Sequence, residues 1–402
     1  MRIPFAIAAG TLFMAAALLS GCRGLVASEP PRLADPPRLL AAGTPAELDA
    51  AVDAARVVCV GEIHDQRPHH DVQYDVLARM AARPGPLLLG MEMFQRPVQQ
   101  HLDDYVAGKI DLLEMLRRTG YYSNEGWKYD HTFFSPMWRL CRERGIRIVA
   151  LNPDGAINRK VGRQGLDALS PEERKGIAAD VDLMNWVHRE RVLAVFMGGA
   201  HRMPPDRLEL LYEAMTVWDE TMAESAVRAL DQAGPDSRML IVAGSQHVQE
   251  YTGVPGRITR RMPGVDPLTV ICRTVGQVED DLAPQNLGHF VVLTPPDGVP
   301  EAPRLGVGLD DKMKVTEVAA DGLAARHGIG VGSVLRRASV PSGDLVELRD
   351  TTDLKYALAE SNVRGGSILL YGDRPDGKPF AITVDLRPRP APAAPAAPAA
   401  KP

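Results

Sequence analysis

Cysteine is scarce in this chain: four residues in 402, with no CxxC spacing and no cysteine zinc motif. One of them, Cys22, belongs to the N-terminal signal described below. That leaves Cys59, Cys141 and Cys272, an odd count in apolar or helical surroundings, best read as buried free thiols. Basic runs are missing too, and the net charge is −5, so nucleic acid is not an expected partner. Aromatic residues make up only 5%, so a local concentration of rings stands out. The apolar stretch at residues 3–19 is too short, and too closely followed by a processing site, for an ordinary spanning helix. Apolar residues are plentiful at 45%, enough for a sizeable core, and the length suggests two domains.

The N-terminus reads as a signal. Arg2 supplies a short positive region, the apolar stretch follows, and Leu19-Ser20-Gly21-Cys22 resembles the bacterial lipobox. That resemblance implies cleavage before Cys22 and acylation of the cysteine. Two or more acyl chains give stable anchoring where one does not. The residue after the cysteine is Arg23 rather than Asp, which by the sorting rule for such lipoproteins favours the outer membrane of a bacterial envelope.

Five prolines between Pro30 and Pro45 mark residues 23–45 as a tether. Residues 388–402 form an Ala/Pro tail with no apolar pattern, expected to be disordered. A second proline-rich stretch at 279–303 separates a large domain, 46–278, from a small one, 304–387. In the large domain, apolar runs of strand length (Val57–Val60, Leu87–Gly90, Ile146–Leu151, Met239–Ala243, Leu268–Cys272) alternate with helical patterns at 69–82, 97–117, 135–144, 171–180, 183–197 and 205–232. The segment 183–197 also admits a strand from Val192 to Met197. This alternation predicts an α/β fold with a mostly parallel sheet covered by helices.

Ligands of open α/β sheets bind beyond the carboxyl ends of the strands. Four strand ends there deliver polar side chains: Glu62 and His64, Glu92, Asn152, and Gln246 with His247. A lone histidine or glutamate at a strand end is usually a turn residue; four strand ends together predict one functional cluster. Two further segments are polar and aromatic. Residues 121–131 hold Tyr121, Tyr122, Trp127 and Tyr129, either rings packed onto the domain or a ligand surface. The segment Gly198–Met203 carries His201, Arg202 and Met203, for which a solvated surface histidine is the plain alternative.

Several short motifs resemble, in the right order through about residues 56–275, the ChaN family of haem-binding lipoproteins. They are Gly61-Glu62-Ile63-His64-Asp65, Gly90-Met91-Glu92-Met93-Phe94, Ala150-Leu151-Asn152, Trp218-Asp219-Glu220-Thr221-Met222-Ala223, Gly244-Ser245-Gln246-His247 and Gly253-Val254-Pro255. The resemblance implies haem as ligand, a role in bacterial iron uptake and a homodimer sharing haem. The wider group includes erythromycin esterase-like and Tiki-type proteins, which use the Glu-x-His, a second Glu and a late His for hydrolysis. Many members carry Tyr after the Trp-rich motif where this chain has Phe133-Phe134; that role passes to Tyr129 or is lost. Tyr, His and Met can all ligate haem iron, so Tyr129, His201 and Met203 are the axial candidates, with Arg202 able to pair a propionate. The alternative is a hydrolase on the same scaffold, with Glu62 or Glu92 as general base and His64, His247 and Glu92 orienting groups or holding a divalent metal.

The small domain reads differently. Arg304–Leu309, Val315–Val318, a short helix candidate at Thr351–Leu358 and a hairpin pattern around Asp376-Gly377 resemble a PDZ domain, with Ser333 where many carry Asp. Its Leu305-Gly306-Val307-Gly308 matches the carboxylate-binding loop, which implies a C-terminal peptide added to a sheet edge.

Overall fold

The computed structural model describes residues 44–123, 126–197, 203–276, 287–297, 303–341, 343–364 and 366–387, with the backbone alone at Arg38–Leu39. The chain divides into two compact units, one of residues 1–129 and 133–298, the other of 130–132 and 299–402. Among the described residues no helix is long and apolar enough to cross a membrane.

The larger unit is built on seven strands: β1 (Arg38–Leu39), β2 (Val57–Glu62), β3 (Leu87–Gln95), β4 (Arg147–Asn152), β5 (Arg238–Gly244), β6 (Leu268–Thr274) and β7 (Phe290–Thr294). Their order is β1-β7-β6-β2-β5-β3-β4; β2 to β7 run parallel and only β1 is antiparallel. The continuous apolar runs follow from this, since both faces are covered. On one face Val57, Cys59, Leu151, Ile241 and Ala243 pack against Met222, Ala226 and Leu230 of the long helix Pro205–Ala233. On the other, Trp138 of the helix Ser135–Arg144 donates its Nε1–H to Met91 Sδ at 2.9 Å. Each fully buried large side chain contributes on the order of 1.5–3 kcal/mol. Cys59, Cys141 and Cys272 are buried free thiols, and burial pushes all three thiol pKa values up.

The structure departs from the sequence reading in four places. The large domain does not close at 278: β7 extends the sheet and the unit runs to Gly298. Proline-rich flanks hid a short apolar strand there. Within the stretch read as tether, β1 pairs with β7, an edge position that tolerates neighbouring prolines. The pattern at 97–117 is two helices, Gln99–Val106 and Leu112–Arg118, broken near Gly108 at φ 75° and restarted by the Asp111 side chain, which caps Glu114 N–H. The pattern at 171–180 gives only the short helix Pro171–Arg174, opened by a Ser170/Glu173 capping box. The ambiguous segment is the helix Trp186–Met197.

The smaller unit contains a two-stranded sheet, β8 (Val307–Leu309) with β9 (Val315–Val318), and an antiparallel four-stranded sheet in the order β11-β10-β12-β13. These last are β10 (Val334–Ser339), β11 (Leu345–Glu347), β12 (Ser367–Asp373) and β13 (Pro379–Asp385). The helices Leu323–Arg326 and Thr351–Arg364 complete it.

Candidate functional site

Chain order reverses around β2. The strand that follows it in sequence, β3, lies two places away, with β5 inserted between. The carboxyl ends of β2, β5 and β3 therefore lie side by side, and the register sets Glu62 opposite Gly244. Glu92 sits in β3 one residue past Met91, which pairs with Val242. Both glutamates are buried. Gly244 is needed for room: a Cβ there would lie 2.8 Å from His64 Cε1 and 3.3 Å from its Nε2. The four strand-end residues Glu62, His64, Glu92 and His247 thus meet at one edge of the sheet.

They are organised as two histidine–carboxylate sets. His64 Nδ1–H donates to Glu62 Oε1 at 2.6 Å, while its side chain stays 29% exposed. Burial works against a charge on His64, but the bond to Glu62 and the charges of Glu62 and Glu92 outweigh it and raise its pKa. The other oxygen, Glu62 Oε2, is buried without a hydrogen-bond partner among the described residues. Deeper in, His247 lies between two carboxylates: Nδ1–H donates to Asp219 Oδ1 at 2.6 Å, and Nε2 is 3.3 Å from Glu92 Oε1. Burial opposes this charge too, yet the two carboxylates raise the His247 pKa to about 10. Burial would raise Glu92 and Asp219, but charged His247 lowers both; Gly244 N–H, 2.7 Å from Glu92 Oε2, adds to this at Glu92.

The supporting residues were either quoted only within a motif, as Asp219 and Glu220 were, or not singled out from sequence, as His188, His69, His70 and Arg191 were not. Asp219 stands on the long helix with its second oxygen 3.5 Å from His188 Nε2, and burial keeps the His188 pKa down at about 4. Its signal was legible: it stands in the motif Trp218–Ala223, beside the buried Val217 and Met222, where an unpaired charge would be costly. The neighbouring Glu220 is also buried, and it meets Arg257, Arg260 and Arg261 of the helix Val254–Arg261, joining two helices. His69 and His70 hold the Glu62–Asp65 turn. Ile63 N–H donates to His69 Nδ1 at 3.0 Å, and His70 Nε2–H donates to the His64 carbonyl at 3.2 Å. Arg191 donates to the Gln246 carbonyl at 2.6 Å and to Thr252 Oγ1 at 3.0 Å, fixing the turn that carries His247. Asn152 does not face the two pairs directly: it accepts from Trp218 Nε1, and the Trp218 ring lies 5.2 Å from that of His247.

The aromatic segment divides in two. Tyr121 and Tyr122 are core, with Tyr121 packed on Phe94 and Trp138. Trp127 and Tyr129 instead lie half-buried over His64, at ring-centroid separations of 4.5 and 5.1 Å. Phe133 and Phe134 are buried against His70. Met203 is half-buried just before the long helix, and no contact joins it to this cluster among those found for the described residues. His201, Arg202 and Cys22 lie outside the described residues.

The metal expectation for His64, His247 and Glu92 does not fit this geometry. Both ring nitrogens of His247 face carboxylates, and no group of three or more His, Cys, Asp or Glu among the described residues is arranged to hold a metal ion. What the edge does offer is a base-bearing ring and two aromatic faces at a partly open surface, with an orphaned carboxylate oxygen buried behind them. That donor set fits a flat, aromatic, iron-bearing ligand: Trp127 and Tyr129 can cover a plate, and a phenol or an imidazole oriented by a carboxylate can meet iron.

A family model described as haem-binding uptake, Tiki superfamily, ChaN, matches residues 48–258. Among curated proteins the chain is similar to Protein RETICULATA-RELATED 5, chloroplastic, of Arabidopsis thaliana, 25% identical over 233 residues, which are 54% of this chain and 31% of that protein. The chain therefore spans about a third of that relative's length. Among solved structures it is similar to ChaN of Campylobacter jejuni, reported with cofacial haem, at 17% identity and a TM-score of 0.48, covering 63% of this chain and 92% of that one. It is also similar to a mutant of the erythromycin esterase EreC in its open conformation, at 14% identity and a TM-score of 0.37, covering 62% and 78%.

Proposed function

The chain belongs to the ChaN family of haem-binding uptake proteins in the Tiki superfamily, and from that premise we propose that it binds haem at the carboxyl edge of its sheet. In this reading it serves haem and iron uptake in the bacterial envelope, anchored through Cys22. One observation carries the assignment: Trp127 and Tyr129 form a half-buried ring surface directly over His64, whose imidazole is oriented by Glu62. Haem supplies an iron that needs a Lewis base and a plate that needs apolar cover. Tyr129 and His64 are the bases at this edge; His201 and Met203 are the other candidates, with Arg202 for a propionate. A second copy of the chain would cover the outer face of the haem.

The test is an absorbance titration of the protein lacking residues 1–22 with hemin. A saturable Soret band is expected, high-spin ferric if Tyr129 is the ligand. Tyr129→Phe should weaken binding about tenfold or more, ~1.4 kcal/mol, or shift the spectrum. Unchanged binding and spectrum in Tyr129→Phe, His64→Ala and His201→Ala alike would remove these ligands.

A second reading is favoured by His247 held between Asp219 and Glu92, with Glu62 Oε2 left unpartnered among the described residues. This is a scaffold on which a carboxylate could activate water. Absence of hemin binding, together with ester hydrolysis abolished by Glu62→Gln, would establish it in place of the first. For the smaller unit we propose peptide binding beside Leu305–Gly308, argued below at its own scale.

A further inference from the structure

At the β4 edge of the larger unit lies a hollow of about 200 Å³, none of whose lining residues belongs to the histidine cluster. Its floor is made by small side chains, Ala150 and Ala229, and its walls carry Arg96, Arg147, Arg228 and Gln232. Two acids adjoin these three guanidinium groups, and both are already engaged. Asp103 accepts from Arg147 Nε at 3.0 Å and from Gln99 Nε2 at 2.9 Å. Glu224 accepts from Arg96 Nη2 at 3.0 Å and from Ala179 N–H at 2.8 Å. Arg228 meets Glu224 only at 3.9 Å, beyond hydrogen-bond reach, and its side chain is 65% exposed. The hollow therefore carries an excess of one positive charge, and the guanidinium on its rim is the one held least.

Arginines on an edge strand often serve only to prevent another strand from pairing there. Here that task is met by Gln99, whose side-chain amide accepts from Ala150 N–H and donates to the Ile148 carbonyl, each at 2.8 Å. Because Gln99 occupies those backbone groups, an added peptide strand is also shut out, which leaves a small molecule as the occupant. We infer that this hollow is an anion-binding site for a small molecule bearing a carboxylate or phosphate, with the Arg228 guanidinium completing the contact. Planar guanidinium groups suit both oxyanions through paired N–H donors.

Isothermal titration of the full-length chain in detergent would use inorganic phosphate in one arm and citrate in the other, at low salt. The expected result is saturable binding of at least one of them at one site per chain, with the arms separating the phosphate from the carboxylate. Arg228→Glu, at an exposed position, should weaken that binding at least tenfold, and Gln232→Glu, also exposed, should weaken it in the same direction. Raising the salt should weaken binding to the wild type. Absence of saturable binding in both arms, or affinity unchanged in both variants, would overturn the inference. Hemin binding is read separately and should be the same in both variants.

Discussion

At the scale of single residues, the buried histidine between two carboxylates sets a pH dependence whose sign is fixed. The folded pKa of His247 is raised to about 10 from an ordinary 6.5. Its protonation therefore adds stability that is complete below about pH 6.5 and is lost as pH rises through about 10. Asp219 and Glu92, lowered from ordinary values of 3.8 and 4.5, act in the opposite sense: their contribution is present above those values and lost as pH falls through the folded ones. Replacing Asp219 with Asn removes one partner of a fully buried pair, which typically costs ~3–5 kcal/mol. Thermal unfolding of wild type and Asp219→Asn between pH 5 and 9 should show the largest gap in Tm near pH 5–6.5, shrinking towards alkaline pH. A gap of constant size across that range would mean that His247 is not charged in the folded protein.

At the scale of elements, what could be read from sequence depended on whether an element carries its own pattern. The parallel strands did, because burial on both faces leaves a continuous apolar run, and from those runs the strand ends with Glu62, Glu92 and His247 could be found. β1 and β7 did not, because short strands flanked by prolines look like linker. Nor did two supports of the cluster: His188 and His69 lie on helices, and only tertiary packing brings them to the strand ends. In the smaller unit the same limit applies to the loop before β8. Gly306 there has φ 77°, and a Cβ on it would lie 2.9 Å from Gly322 Cα, so glycine is required for the loop's shape. β8 pairs with β9 on one side and with no strand on the other among the described residues. An open edge beside such a loop supports the reading that an extended peptide is added there, its carboxylate taken by loop N–H groups. Peptides ending in a free carboxylate should bind at least tenfold more tightly than their amidated forms, as measured by fluorescence anisotropy. Equal affinity for the two forms would end that reading.

At the scale of the whole molecule, the proposed haem site makes it matter where that sheet edge is displayed. The sequence carries a lipobox-like motif at Leu19–Cys22 and a proline-rich stretch before the helix Pro45–Ala54, the first helix described. An acylated Cys22 would restrict the protein to a membrane surface and raise its local concentration there, which favours two copies meeting over a shared ligand. It would also put the sheet edge within a tether's reach of that surface, where a ligand as apolar as haem partitions. Cys22→Ser should therefore move the protein from the membrane fraction to the soluble fraction and abolish incorporation of labelled palmitate. Hemin affinity measured in solution should stay within about twofold, because Cys22 lies outside the matched domain at residues 48–258. Membrane fractionation unchanged by the substitution, with no acyl label lost, would show that the anchor lies elsewhere. Loss of hemin binding on release would instead show that the site is completed only on the membrane.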